Sequence, residues 1–155
     1  MNEFMKTAID LSSLNFEKKN GGPFGACIVK DGKIIGKGMN QVIKNNDPTA
    51  HAEVIAIRDA CNNIGSYDLS GCELYTSCYP CPMCLSAIIW SNIKKVYYAN
   101  TKEDAANIGF RDDFIYEYIK NNNSDNDVLS LISMNREEAI EVFNKYRDNE
   151  DKIMY

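Results

Sequence analysis

Histidine is the scarcest chemical resource in this chain: one residue, His51, in 155. Any metal site built here must therefore draw most of its ligands from cysteine or carboxylate. Basic clusters are equally scarce. Adjacent cations occur only at Lys18-Lys19 and Lys94-Lys95, neither inside a longer basic run, and the net charge is -5 with a pI near 4.9. Binding to a phosphate backbone leans on clustered Lys and Arg, so no nucleic-acid partner is expected and a small uncharged substrate suits the balance. Long apolar runs are missing too. No stretch approaches the roughly 20 residues of a membrane span, so no membrane partner is expected. Met1-Asn2-Glu3-Phe4-Met5-Lys6 has no apolar run of signal-peptide length, and the expected location is cytoplasmic. In that compartment the six cysteines stay reduced, Cys27, Cys61 and Cys72 read as packed side chains, and the Asn122-Asn123-Ser124 sequon carries no meaning. With no repeat and no linker, residues 1–155 read as one domain around a single core.

What is present is concentrated in two short motifs. His51-Ala52-Glu53 and Pro80-Cys81-Pro82-Met83-Cys84 together supply three zinc-type ligands, His51, Cys81 and Cys84, and one carboxylate, Glu53, that need not be a ligand. Three ligands leave a tetrahedral zinc with an open position, where water becomes a nucleophile near neutral pH, whereas four would close the site for structure alone. Cysteines three apart on the first turn of a helix share a face, Pro82 suits that turn, and the free amides there favour thiolate. Glu53, two residues from His51, cannot share its face on a regular helix and is free to project toward water. Cys78 extends the pattern to Cys-x-x-Cys-x-x-Cys, but the fourth Cys-Pro of a ferredoxin-type cluster is missing, so Cys78 reads as a spare thiol. The different-class alternative is a non-catalytic zinc or redox module.

Periodicity outlines alternating elements. Phe4, Ala8, Leu11 and Leu14 mark a helix over residues 3–19 that stops at Asn20-Gly21-Gly22. Residues 25–30 and 33–38 flank Asp31-Gly32 as a hairpin. A helix runs from His51 to near Gly65 behind the turn and cap residues Asp47, Pro48 and Thr49. A strand at 72–76 leads into the Cys81 helix, whose apolar face carries Leu85, Ile88 and Ile89, and a further strand follows at 95–99. Residues 112–120 and 136–147 read as helices, 121–127 as a polar loop and 128–132 as a strand. Strand, helix and strand with short connections is an α/β pattern.

The resemblance these motifs carry is to the cytidine deaminase superfamily, and within it to the small bacterial guanine deaminases. Gly22-Pro23-Phe24-Gly25-Ala26, Asn46 through Glu53, and Thr76-Ser77-Cys78 with Pro80 through Cys84 resemble superfamily blocks, the zinc nucleobase deaminase signature H-x-E…P-C-x-x-C among them. Gly109 through Tyr116 and a tail ending in Tyr155 are similar to the guanine deaminase branch. Tyr79 departs from the many relatives that have Glu before Pro-Cys, and Arg111 occupies an often acidic position.

The resemblance implies a three-layer α/β/α sandwich around a mixed central sheet and one Zn2+ per subunit, held by His51, Cys81 and Cys84. It implies Glu53 and Asp112 as catalytic groups, with Phe24, Asn40, Trp90, Asp112 and Tyr155 contacting a nucleobase. It further implies a homodimer that exchanges its C-terminal segment, and zinc-dependent hydrolysis of guanine to xanthine and ammonia. The alternatives are deamination of guanosine, cytosine or another base or nucleoside, and, against the acidic balance, of tRNA adenosine. Each substrate residue also has a bland reading: Asn40 as a turn residue after a strand, Phe24 and Trp90 as core or interface aromatics, Asp112 as a helix N-terminal acid, Tyr155 as a frayed end.

Overall fold

A computed structural model describes residues 1–155, which form two compact units, Met1–Asp112 and Asp113–Tyr155. The first unit opens with helix α1 (Glu3–Lys18), capped by the Asn2 side chain and ended by Lys19 in the left-handed region. Strands β1 (Gly25–Lys30) and β2 (Lys33–Met39) form the expected hairpin. Asp31 and Gly32 both take positive φ, 48° and 72°, as a two-residue turn matched to strand twist requires. Helix α2 (Val42–Asn45) is a single turn that the sequence pattern did not mark. Helix α3 (Ala52–Ile64) ends at Gly65 in the left-handed region. Strand β3 (Glu73–Cys78), helix α4 (Pro82–Trp90) and strand β4 (Lys95–Asn100) make the strand–helix–strand unit. Helix α5 (Lys102–Asn107) was not anticipated either, although Thr101 and Asp104 close a reciprocal capping box that the sequence displays.

The sheet is mixed, in the order β2-β1-β3-β4, with β1 antiparallel to both neighbours and β3 parallel to β4. Alternation along the strands sorts the side chains into layers. Ala26 and Ile28 of β1 and Leu74 of β3 pack with Ala52, Ala56 and Ala60 of α3 and Ile88 of α4. Cys27, Val29 and Tyr75 point the other way, onto Phe4 and Met5 of α1. Helices on both faces of a mixed sheet are the three-layer α/β/α arrangement the resemblance implied. Small residues let the layers close up, because alanines on α3 face Gly36 and Gly38 on β2. A bulge keeps that contact in phase. The register shifts between Ile28 and Val29, so that Ile35 and Gly36 both turn toward α3.

The second unit contains helices α6 (Asp113–Lys120) and α7 (Arg136–Asp148). Residues 128–132, expected as a strand, are not one. The amides of Val128 and Leu129 both bond the Asp125 carbonyl in a turn, and the Leu129 carbonyl accepts from the Tyr118 hydroxyl at 3.1 Å. An apolar, β-branched run becomes a strand only with a ladder partner, and the other elements of this unit are helices. No helix is long and apolar enough to cross a membrane.

Candidate active site

Two helix starts converge on one point. His51 is the N-cap of α3 and Cys81 the N-cap of α4, both with extended backbone, at ψ 157° and 168°. The approach to His51 is set by an Asx turn in which Asp47 Oδ1 accepts from the Thr49 amide at 2.8 Å and from its hydroxyl at 2.6 Å. These bonds, with Arg58 nearby, hold the Asp47 carboxyl below its ordinary range. Because His51 precedes the helix rather than lying on it, the two-residue spacing to Glu53 no longer separates their side chains. Both reach the site.

His51 Nδ1 lies 3.5 Å from Cys81 Sγ and 3.5 Å from Cys84 Sγ, and the three ligand atoms all fall within 4.8 Å of one another. Zinc bonds of about 2.0 Å to nitrogen and about 2.3 Å to sulfur, opened to a tetrahedral angle, put N and S about 3.5 Å apart. The donor set therefore fits one zinc ion in both chemistry and spacing. The thiols are already polarised for it. The Cys84 S–H donates to Cys81, and despite burial this bond, helped by His51 and the Cys84 amide, brings Cys81 down to about 4. The same bond and burial push Cys84 up, and the bond to Cys81 raises His51. Metal binding must then release the remaining thiol proton.

Glu53 sits beside the ligands, nearly buried, with Oε2 3.4 Å from Cys84 Sγ and Oε1 accepting from the Thr76 hydroxyl at 3.3 Å. Burial is the main cause that raises its pKa, with the Cys81 charge adding. A carboxylate that takes up a proton readily, next to three metal ligands, suits proton transfer. Thr76 was missed as a partner for Glu53. Its signal was positional, since it lies two residues after the core residue Leu74 and so faces α3 as a buried polar group. Cys78 stays outside the cluster: its thiol donates to the Thr101 carbonyl at 3.5 Å, and burial raises it to about 11. Tyr79 packs edge-on against Tyr98, with centroids 4.9 Å apart, beneath the Lys102 ammonium at 4.6 Å. An aromatic side chain at this position thus ties the loop before Cys81 to β4 and α5.

The remaining expected site residues are placed unevenly. Asn40 is buried just after β2; its Oδ1 accepts from the Val42 amide at 3.1 Å and its backbone N–H, not its side chain, donates to the Phe24 carbonyl. The turn reading of this Asn holds for its oxygen, which leaves the amide nitrogen as the group on offer. Phe24 is half-buried and meets Phe110 edge-to-face, with centroids 5.0 Å apart, so Phe110 joins it as a second aromatic ring. Asp112 is half-buried, outside the start of α6, and its charge is felt at Cys78. Trp90 is 72 % exposed at the far end of α4 from Cys81. Six residues beyond Cys84, it stands about 9 Å along the helix axis from the ligand turn. Tyr155 ends the second unit, exposed.

Comparison with known proteins matches residues 1–100 to the cytidine and deoxycytidylate deaminase zinc-binding region. The guanine deaminase of Bacillus subtilis (strain 168) is 57% identical over 116 residues, covering 75% of this chain and 74% of that protein. The X-ray structure of guanine deaminase from Bacillus subtilis superposes with a TM-score of 0.92 at 46% identity, covering 100% of this chain and 99% of that one. A tRNA-specific adenosine deaminase of Aquifex aeolicus (strain VF5) is 46% identical over 96 residues, 62% of this chain and 63% of its own.

Proposed function

The chain belongs to the cytidine and deoxycytidylate deaminase zinc-binding family, alongside bacterial guanine deaminases, and on that premise we propose that it hydrolyses guanine to xanthine and ammonia. The observation that carries the reading is the convergence of His51, Cys81 and Cys84 at tetrahedral zinc spacing with the buried Glu53 carboxylate beside them. A zinc ion held there supplies Lewis acidity and makes water nucleophilic near neutral pH. Glu53 takes the proton from the attacking water and delivers it to the ring nitrogen next to C2. Asp112 assists the second transfer, to the departing amine. Asn40 donates its Nδ2 hydrogens to an acceptor on the purine edge, and Phe24, with Phe110 behind it, walls one side of the ring. Thr76 keeps Glu53 aimed by its hydroxyl donation.

Substrate choice is tested by ammonia release from the zinc-loaded protein with guanine, guanosine, cytosine, cytidine and adenine, each product identified by mass. Guanine yielding xanthine is the expected result; turnover of a different base with guanine inert refutes the substrate assignment. The acidic balance supports a free base over a nucleic acid. Residues 1–155 act as one functional domain in a cytoplasmic homodimer. Trp90 and Tyr155, exposed in the single chain, complete the site by meeting a second copy through an exchanged C-terminal segment. Full activity from a chain shortened by residues 152–155 refutes that role for the tail.

A further inference from the structure

Asn15 is a polar residue where α1 has every reason to be apolar. Its side chain is fully buried, and its Nδ2 donates twice, to the Gly22 carbonyl at 2.6 Å and to the Asn40 carbonyl at 2.9 Å. Two carbonyl partners fix the nitrogen of the amide on that side and turn Oδ1 the other way, where it has no partner in the protein. A buried acceptor left unpaired costs stability, so packing alone does not explain this residue.

The two carbonyls belong to the two loops that carry Phe24 and Asn40. Gly22 O also accepts from the Phe24 amide at 2.8 Å, and Phe24 O accepts from the Asn40 amide at 3.1 Å. Asn15 thus closes a ring of bonds through Gly22, Phe24 and Asn40. Gly21 backs onto the same side chain: a β-carbon there would lie 2.9 Å from Asn40 Cγ. Within this ring Asn40 has its amide, its carbonyl and its Oδ1 engaged, the last by Val42. With Oδ1 held by a backbone N–H, the carboxamide cannot turn over to present an acceptor.

The geometry points to Asn15 as a positioning residue that holds the backbone of Asn40, whose carboxamide the Val42 amide fixes as a hydrogen-bond donor, and so selects purines bearing a carbonyl oxygen at the contacted edge. This rests on the proposed role of Asn40 at the base. Guanine presents such an oxygen. 2-Aminopurine carries the same exocyclic amine and lacks it, so the lock favours guanine over 2-aminopurine by whatever the donor contact contributes.

The test compares zinc-loaded wild type, Asn15→Ala, Asn15→Leu and Asn40→Ala. Each is measured for zinc content, kcat and KM with guanine, and KM or competitive Ki with 2-aminopurine. Asn15→Leu fills the space without donors, which keeps the question answerable if the alanine variant does not fold. Both Asn15 variants are expected to raise the guanine KM on the order of 10-fold, while kcat and the 2-aminopurine constant stay within about 2-fold, as loss of a uniform binding contact predicts. Equal losses on both ligands would mean a merely structural residue and overturn the proposal. A selective loss in Asn40→Ala without one in the Asn15 variants overturns the role of Asn15 and leaves the Asn40 reading standing. No selective loss in Asn40→Ala brings down the Asn40 reading and this proposal together.

Discussion

Replacing Gly36 or Gly38 by alanine should damage the site from behind, through the sheet. A β-carbon on Gly36 would lie 2.6 Å from the Ala56 carbonyl oxygen and 2.7 Å from both the β-carbon and the amide nitrogen of Ala60. On Gly38 it would overlap the Ala52 carbonyl and lie 2.6 Å from the Ala56 amide nitrogen. Carbon contacts settle at about 3.5–4.0 Å, so α3 must withdraw by about 1 Å. Every neighbour is backbone or a β-carbon, and no rotamer change can relieve it. Overpacking of this kind costs about 1–3 kcal/mol, and in a chain of this length each kcal/mol lowers Tm by about 2–4 °C. Gly36→Ala should therefore melt about 2–12 °C lower, and Gly38→Ala at least as far. The second effect is chemical. Ala52 adjoins His51, so a displaced first turn pulls the imidazole off its 3.5 Å spacing to the thiolates of α4. Zinc affinity, read by competition with a chromophoric chelator, should fall more for Gly38→Ala than for Gly36→Ala. Calorimetry showing Gly38→Ala within about 1 °C of the parent, with zinc affinity unchanged, would refute the reasoning.

Three further outcomes follow from the site and its surroundings. Glu53→Gln keeps the size of the side chain and its contact with Thr76 but removes the proton acceptor, so kcat should drop by about 10²–10⁴ with zinc still bound; normal turnover would remove Glu53 from the mechanism. Cys84→Ser removes a thiolate ligand and should weaken zinc binding by more than the roughly 10–100-fold typical of outer partners, which elemental analysis after dialysis checks; retained stoichiometric zinc would contradict the ligand set. Cys27 is raised by burial to about 11 from 9.0. With the folded value above the unfolded one, its contribution to stability is complete below pH 9 and is lost as pH climbs toward about 11. Cys27→Ala should flatten that alkaline decline in denaturant titrations, and native Cys27 should resist alkylation at pH 8; labelling of the folded chain there would count against it.

How much was legible depended on range. The hairpin at Asp31-Gly32, the body of α3 to its stop at Gly65, and the strand–helix–strand unit around Cys81 are local patterns, and each formed where spacing placed it, although the N-cap of α3 is His51 and not the Asp47-Pro48-Thr49 turn before it. The strand expected at 128–132 failed because a strand is a property of a pair. Helix α5 was missed although Thr101 and Asp104 announced it. The bulge at Ile35-Gly36 left no local signal, since it exists to keep β2 in phase with α3.

Which residues could hold the metal is a matter of chemistry that the residue types suggest alone. Thiolate, imidazole and carboxylate at these spacings suit a three-ligand zinc with a proton carrier, a preference that belongs to the residue types themselves. Distance between elements is different. That His51 meets Cys81 and Cys84 at 3.5 Å, that Thr76 reaches Glu53, and that Asn15 ties Gly22 to Asn40 all depend on how closely helices seat on the sheet. Tertiary structure alone decided them, because side-chain volume and strand register across the whole core set those separations.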